Sequence, residues 1–208
     1  MNKTLAPLSI RIIYWITVIS QFLLGLVIIA TIAFNVFIYL DISDNLQLHT
    51  QFPVEIDFLE VGSLEINDQI IKVEFVEANS KIHFIDTPRF IANKVAIAML
   101  IVSVGFFYLL LIFKKFIKNV KNGDTFNINN IKILKKLSYG LVVLWAFTNI
   151  YMFLLYHYIG TRIEMDNIKI SSNLNNYSGI LFAALLIWVI AHIFIKGLEL
   201  QEEKDLTI

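Results

Sequence analysis

Four long apolar segments constrain what this chain can fold into. They cover residues 12–40, 95–113, 137–159 and 177–195, and none of them contains Asp, Glu, Lys or Arg. A helix needs about 20 residues to cross the hydrocarbon core of a bilayer, because each residue adds about 1.5 Å. All four segments reach that length. The sequence therefore predicts an integral membrane protein.

The predicted fold class is an all-α four-helix transmembrane bundle with a small β-rich outer insertion between helices 1 and 2. The boundaries follow the changes in hydropathy and charge along the chain. The predicted units are the N-terminus with the first span (1–40), the acidic outer insertion (41–90), the second span (91–113), a basic helical hairpin (114–136), the third span (137–159), a second outer loop (160–176), the fourth span (177–196) and an acidic tail (197–208).

Charge along the chain predicts the orientation, although the formal net charge is +0. Residues 41–89 contain ten acidic and three basic residues, a net charge of −7, whereas residues 114–136 contain seven lysines and one aspartate, a net charge of +6. Lysine and arginine near the ends of spans stay on the cytoplasmic side. We therefore expect a multi-pass protein of the cell membrane with the hairpin and both termini in the cytoplasm. The first span is too long for a signal-peptide core and is interpreted as a retained anchor.

The outer insertion has the pattern of β-strands. Residues 54–58 and 71–75 alternate apolar and charged side chains, which is the period of a strand with one buried face. Turns are expected at 61–63, 67–68 and 79–80, giving an antiparallel meander of three or four strands. Such a small sheet needs support from the membrane surface, the first helix or another chain. In the second outer loop, residues 168–170 leave an added strand and a plain loop as alternatives.

The basic hairpin is predicted to be helical on both sides of a short turn. Apolar residues at 113, 116, 117 and 120 continue the second helix, and Asn122-Gly123 then ends it. Asn127 or Thr125 is the expected cap of a new helix that begins near Ile128. The hairpin lysines have two interpretations, a signal that sets the topology, which we favour, and a site for anionic lipid, nucleic acid or an acidic protein.

Residue patterns that carry chemistry are missing from the sequence. There is no cysteine, no zinc-binding or phosphate-binding motif and no intramembrane carboxylate pair, so we expect no catalytic residue, metal site or cofactor. No nucleic-acid-binding motif is complete either, and no direct binding of nucleic acid is expected. Polar residues within the spans favour hydrogen bonds between helices over a ligand crevice or a path. They are Gln21, Asn35, Ser103, Thr148 and Asn149.

Two cytoplasmic segments resemble a known family. The stretch IKNVKNGDTFNINN at 117–130 and the ending GLELQEEKDLTI at 197–208 are similar to the inner-loop signature and the closing tail of a bacterial membrane family called domain of unknown function 2975. Thr125 stands where proline is usual in that family, and Lys204 stands where asparagine is common. The family has four spans, a variable outer insertion and no established activity. The resemblance implies association with a small helix-turn-helix regulator of the Cro/CI type.

These segments supply the candidate partner-binding residues. They are Lys118, Lys121, Gly123, Phe126, Asn130, Glu199, Glu202, Glu203 and Asp205. The acidic tail has two alternative roles, docking on the basic hairpin of its own or a neighbouring chain, or presenting itself to a basic partner. Our leading hypothesis is a non-enzymatic sensory, regulatory or partner-binding membrane protein. The alternative is a small transporter, a channel or an accessory subunit of a membrane complex, and a homo-oligomer is compatible with both.

Overall fold

The computed structural model of the chain describes residues 7–40, 51–67, 69–84, 87–162, 169–171 and 177–206. Within these ranges it contains four α-helices, each long and apolar enough to cross a membrane. Their bounds are α1 Leu8–Tyr39, α2 Arg89–Lys121, α3 Ile128–Gly160 and α4 Ser178–Leu206. The prediction of four transmembrane helices is confirmed, and the protein is an integral membrane protein.

Successive helices run in opposite directions. The Lys121 ammonium at the end of α2 lies 4.7 Å from the centre of the Tyr14 ring near the start of α1. At the other end of the same pair, the Asn35 amide nitrogen lies 3.4 Å from the Ala96 carbonyl oxygen. The start of α1, the α2–α3 connection and the end of α4 therefore share one side of the membrane, which we call the loop side. The opposite side carries a sheet and is called the sheet side.

Helix α2 is much longer than a bilayer core. Its 33 residues span about 50 Å, whereas the hydrocarbon core is about 30 Å thick. The helix extends past its apolar segment at both ends, by residues 89–94 on the sheet side and by residues 114–121, which include four lysines, on the loop side. The start of α3 and the end of α4 also extend past their apolar segments on this side. The loop side is thus built from regular helix ends, as the sequence predicts for the hairpin.

Small residues let consecutive helices pack closely. Ala92 and Ala96 of α2 are buried against Ile38 of α1. Between α3 and α4, Ala184 is fully buried and its carbonyl oxygen accepts a hydrogen bond of 2.8 Å from the Ser138 hydroxyl. The principal helix contacts are α1 with α2, α2 with α3 and α3 with α4.

Two glycines let α2 and α3 approach closely on the loop side of the membrane. A Cβ atom on Gly140 would overlap Cδ2 of Leu109, and one on Gly105 would lie 3.2 Å from Cδ1 of Leu144. Leu109 and Leu144 are buried in one cluster with Leu137. Hydrogen at both glycines therefore suits the close approach of α2 and α3, since a methyl group at Gly140 would displace the Leu109 side chain and one at Gly105 would press on Leu144.

The outer insertion forms one long hairpin. Strand β1, Gln51–Ile66, pairs antiparallel with β2, Gln69–His83, and Asn67 takes a left-handed conformation with φ of 51° at the turn. The expected turns at 61–63 and 79–80 are wrong, because both lie inside the strands. Gly62 is opposite Val73 with ordinary van der Waals space between them, so the glycine does not interrupt the ladder.

A third strand comes from the second outer loop. Strand β3, Lys169–Ser171, pairs antiparallel with residues 55–57 of β1, and the strand order is β2-β1-β3. This resolves the two sequence alternatives for that loop in favour of an added strand. The apolar face near the hairpin turn is exposed in this chain, with Leu64 46%, Ile66 49%, Ile71 47% and Val73 41% accessible. The first helix, one of the three supports expected for the sheet, does not cover these residues.

Candidate functional site

Asn130 organises the connection between α2 and α3. Its side chain is fully buried, and its amide nitrogen donates to the carbonyl oxygens of Asp124 at 2.5 Å and Thr125 at 3.0 Å. Its side-chain oxygen accepts a hydrogen bond of 2.7 Å from the Asn119 amide. One asparagine near the start of α3 therefore binds both the loop and the last turns of α2. Burial without these partners would be costly, because a buried amide needs its hydrogen bonds.

The turn itself combines a glycine and a helix cap. Gly123 has φ of +93°, a left-handed conformation that residues with a Cβ atom adopt at a cost, and it follows Asn122 at the end of α2. The Asn127 side chain accepts a hydrogen bond of 2.8 Å from the Asn130 backbone N–H at the start of α3. Of the two caps expected from the sequence, Asn127 is the one observed.

Phe126 attaches this loop to α4. Its ring centre lies 5.0 Å from that of Phe194, which also lies 5.8 Å from the ring of Phe116 in α2. A Cβ atom on Gly197 would lie 2.6 Å from Cε1 and 2.7 Å from Cδ1 of Phe126, so glycine makes room for the ring. We call Phe116, Phe126 and Phe194 the aromatic cluster. The two segments singled out in the sequence, 117–130 and 197–208, meet at this point.

Charged side chains of both signs lie on the loop side. Lys118 is exposed, whereas Lys121 is half-buried against the Tyr14 ring. In the tail, Glu199 is bound by Lys196 of its own helix at 2.6 Å, and Glu202 and Glu203 are exposed. Asp205 lies in α4 as well, but its side chain is outside the part of the chain that is described.

The tail is a continuation of α4 rather than a separate segment. Residues 197–206 are helical and add about 15 Å beyond Gly197. The loop-side surface therefore consists of basic ends of α2 and α3 beside an acidic helix, joined by the aromatic cluster. Among the described residues, no group of three or more His, Asp or Glu is arranged to hold a metal ion.

The polar residues within the spans lie in different places. Gln21 is buried in α1, and its amide nitrogen has no acceptor among the described atoms. Asn35 donates to the Thr31 carbonyl oxygen in its own helix at 2.8 Å, in addition to its contact with α2. Asn149 likewise bonds to the Trp145 carbonyl oxygen of its own helix at 2.8 Å. These three side chains do not line the cavity to which Ser103 and Thr148 contribute.

Ser103 and Thr148 do come together, at a cavity of about 280 Å³ between α2 and α3. The Thr148 hydroxyl donates to the Leu144 carbonyl oxygen at 2.8 Å. Tyr151 joins them in the lining, although the sequence analysis did not single it out. One signal was available, since Thr148 and Tyr151 are three residues apart and so share one helix face. The sequence analysis also missed Asn119, Phe194 and Gly197 as parts of the loop-side site.

Comparison with known proteins gives a family without a described activity. A family model described as a protein of unknown function (DUF2975) matches residues 26–208. No curated protein and no solved structure matches the chain. The matched range includes the loop, the aromatic cluster and the tail.

Proposed function

Because the chain belongs to this family of proteins of unknown function, we propose its role from the geometry of the loop side. The protein is a non-enzymatic membrane anchor that binds a soluble cytoplasmic partner and thereby holds it or signals to it. The binding surface consists of the loop 122–127, the exposed lysines at the ends of α2 and α3, and the acidic end of α4.

The observation that carries this proposal is the construction of the loop. A signal for membrane topology requires only lysines near the spans. Here the short loop is also fixed by the buried Asn130 side chain and packed onto a third helix through Phe126. A surface that is ordered before binding loses less conformational entropy when a partner docks. This degree of order outside the membrane supports a recognition surface.

Charge supports a protein as the partner. The exposed Lys118 of α2 and the exposed Glu202 of α4 extend from elements joined by the aromatic cluster, so both signs of charge occur on one face. Complementary charges across an interface guide association and suppress wrong partners. The family resemblance adds a partner class, a small helix-turn-helix regulator. Its DNA-binding surface would be basic, and the acidic tail is the part of the site that suits it.

A site-specific crosslinking experiment tests the proposal. A photoreactive residue is placed at Lys118 or Glu202 in the native membrane, and captured proteins are identified by mass spectrometry. We expect one soluble protein to be captured at both positions, and we expect the purified protein to bind the membrane protein in nanodiscs. Two control positions are Ile150, which is 60% exposed in a span, and Lys72 on the sheet side.

A substitution in the loop tests whether capture depends on the loop structure. Phe126→Ala removes the ring that contacts Phe194, and we expect it to reduce capture at both loop-side positions while the protein remains in the membrane. Equal capture at Ile150 or Lys72 would contradict the proposal. Capture of membrane subunits alone would instead favour the alternative of a transporter, a channel or an accessory subunit.

A further inference from the structure

One side of α3 changes from basic to apolar where the helix enters the membrane. Lys132, Lys136, Tyr139 and Val143 follow one another at intervals of three or four residues, so they share one side of the helix. All four side chains are exposed. We call these residues the α3 face.

Both neighbouring helices add aromatic rings to the α3 face. The Lys136 ammonium lies 5.3 Å from the centre of the Tyr108 ring of α2. The Tyr139 ring centre lies 5.9 Å from that of Trp188 in α4. One turn further along α4, the His192 ring centre lies 6.1 Å from that of Trp188. The surface therefore extends across three helices, and each of them contributes an exposed ring.

This surface lies at the boundary between headgroups and hydrocarbon. The apolar segment of α3 begins at Leu137, directly after Lys136. Tyr139 is three residues further along, about 5 Å deeper, and its contact places Trp188 at a similar depth. Tryptophan and tyrosine are enriched at this level of a membrane. The lysines are thus at the level of lipid phosphates, and the two rings are at the level of the glycerol.

The cations of the α3 face lack acidic partners in the described parts of the chain. No carboxylate there lies within salt-bridge distance of Lys132 or Lys136, whereas Lys196 of α4 is paired with Glu199 at 2.6 Å. Residues four apart on a helix have Cβ atoms about 5–6 Å apart, so both ammonium groups can reach one phosphate. Hydrogen bonds between lysine and phosphate are of the strong, charge-assisted kind.

The deeper part of the surface suits acyl chains. Val143 is 68% exposed on the α3 face, and Leu185 of α4 is 48% exposed. These side chains lie beyond the Tyr139 and Trp188 rings, towards the centre of the membrane. A free phosphate ion would match only the lysines. A phospholipid matches the lysines, the rings and the apolar side chains in the order in which they occur.

We propose that the α3 face, with Trp188 and His192 of α4, is a binding site for an anionic phospholipid of the loop-side leaflet. Lys132 and Lys136 bind the phosphate, and the Tyr139 and Trp188 rings contact the glycerol and the first carbons of the chains. The Nδ1 atom of His192 lies 3.0 Å from the Trp188 carbonyl oxygen; because that oxygen can only accept, Nδ1 donates and Nε2 is left for the headgroup. This site goes beyond the partner-binding role and does not rest on it.

The site makes a prediction that a topology signal does not make. A topology signal depends on lysines near the ends of spans and not on which helix face carries them. Lys118 of α2 and Lys132 of α3 are both exposed, and each is five residues from its apolar segment. Lys118 is one turn before Lys121, which packs on Tyr14 of α1, and so lies towards α1. Lipid selectivity beside Trp188 should therefore depend on Lys132 and not on Lys118.

Trp188 can report this selectivity in the purified full-length protein in nanodiscs. Trp15 and Trp145 are replaced by Phe, so that Trp188 is the remaining tryptophan. Its fluorescence is quenched by phosphatidylglycerol or by phosphatidylcholine, each brominated on one acyl chain and titrated into the other lipid without bromine. We expect phosphatidylglycerol to be preferred beside Trp188 at least about fivefold, which is roughly the effect of one lysine near an anionic membrane.

Single substitutions of equal charge locate the preference. Lys132→Gln and Lys136→Gln should each lower it at least about twofold, because each removes one phosphate-binding group. Lys118→Gln is the matched control and should leave it unchanged. Quenching by brominated phosphatidylcholine in a bilayer of that lipid alone should be the same in all three variants, which shows that Trp188 remains in contact with acyl chains.

Three results would overturn the proposal. Equal preference for the two lipids beside Trp188 would show that this surface does not recognise the headgroup. Absence of quenching by either lipid would show that acyl chains do not occupy it. An equal loss of preference in Lys118→Gln and Lys132→Gln would show a general effect of loop-side charge. The first two comparisons use native lysines, so they remain decisive even where a lysine variant fails to fold.

Discussion

Replacing Asn130 by aspartate should release the α2–α3 loop. The side chains have nearly the same volume, but an oxygen would replace the amide nitrogen that donates to the carbonyl oxygens of Asp124 and Thr125. Two hydrogen bonds of about 1 kcal/mol each are lost, and the unpaired buried groups cost about 1–3 kcal/mol more. We expect the docked loop to be destabilised by at least about 3 kcal/mol, which corresponds to a factor of about 100 in its opening equilibrium.

Amide hydrogen exchange measures this opening directly. In the native protein, the Asp124 N–H donates to the Asn119 carbonyl oxygen at 3.1 Å, so its exchange requires local opening. We expect exchange at Asp124 to become about 100-fold faster in Asn130→Asp. Asn129→Asp is a matched control, because Asn129 is the exposed neighbour and acquires the same charge. Exchange within threefold of this control would refute the role assigned to the Asn130 hydrogen bonds.

Two further substitutions test the contacts of α4. Gly197→Ala would place a methyl group against the Phe126 ring and should destabilise the protein by about 1–3 kcal/mol, lowering the thermal midpoint by several degrees in detergent, whereas Gly179→Ala meets open space and should not. Ser138→Ala removes the hydrogen bond between α3 and α4 and should cost about 0.6–2 kcal/mol in the same thermal assay. Thr148→Val removes only a bond within α3 and should cost less; equal losses would contradict this assignment.

The spans were predictable because their signal is local. Each apolar segment is long and uncharged, and no distant residue is needed to recognise it. The cap at Asn127 and the left-handed Gly123 are local signals as well, and both are confirmed. The turns expected at 61–63 and 79–80 are wrong because they were predicted from local residue preferences alone. Glycine, asparagine and serine are typical of turns, but a long hairpin ladder overrides that preference when both strands continue.

Other features required three-dimensional information. Phe126 and Gly197 are about 70 residues apart, and nothing in either segment specifies the other as its contact. The cavity lined by Ser103 and Thr148 depends on how the side chains of α2 and α3 pack between Gly105 and the sheet-side ends of the helices, and a sequence pattern describes one helix at a time. The positions of the polar residues in the spans were therefore predictable, while the separation of Ser103 and Thr148 from Gln21 and Asn35 was not.

The aromatic cluster positions the end of α4 relative to α2, a helix with which α4 has few other contacts. The principal helix contacts are between consecutive helices, so α4 is held mainly by α3. On the loop side, Phe194 of α4 contacts both Phe116 of α2 and Phe126 of the loop. The position of the acidic helix end relative to the basic end of α2 is therefore set by these rings. Because Asn130 fixes the loop that carries Phe126, a single buried amide helps to set how both signs of charge are arranged on the loop side.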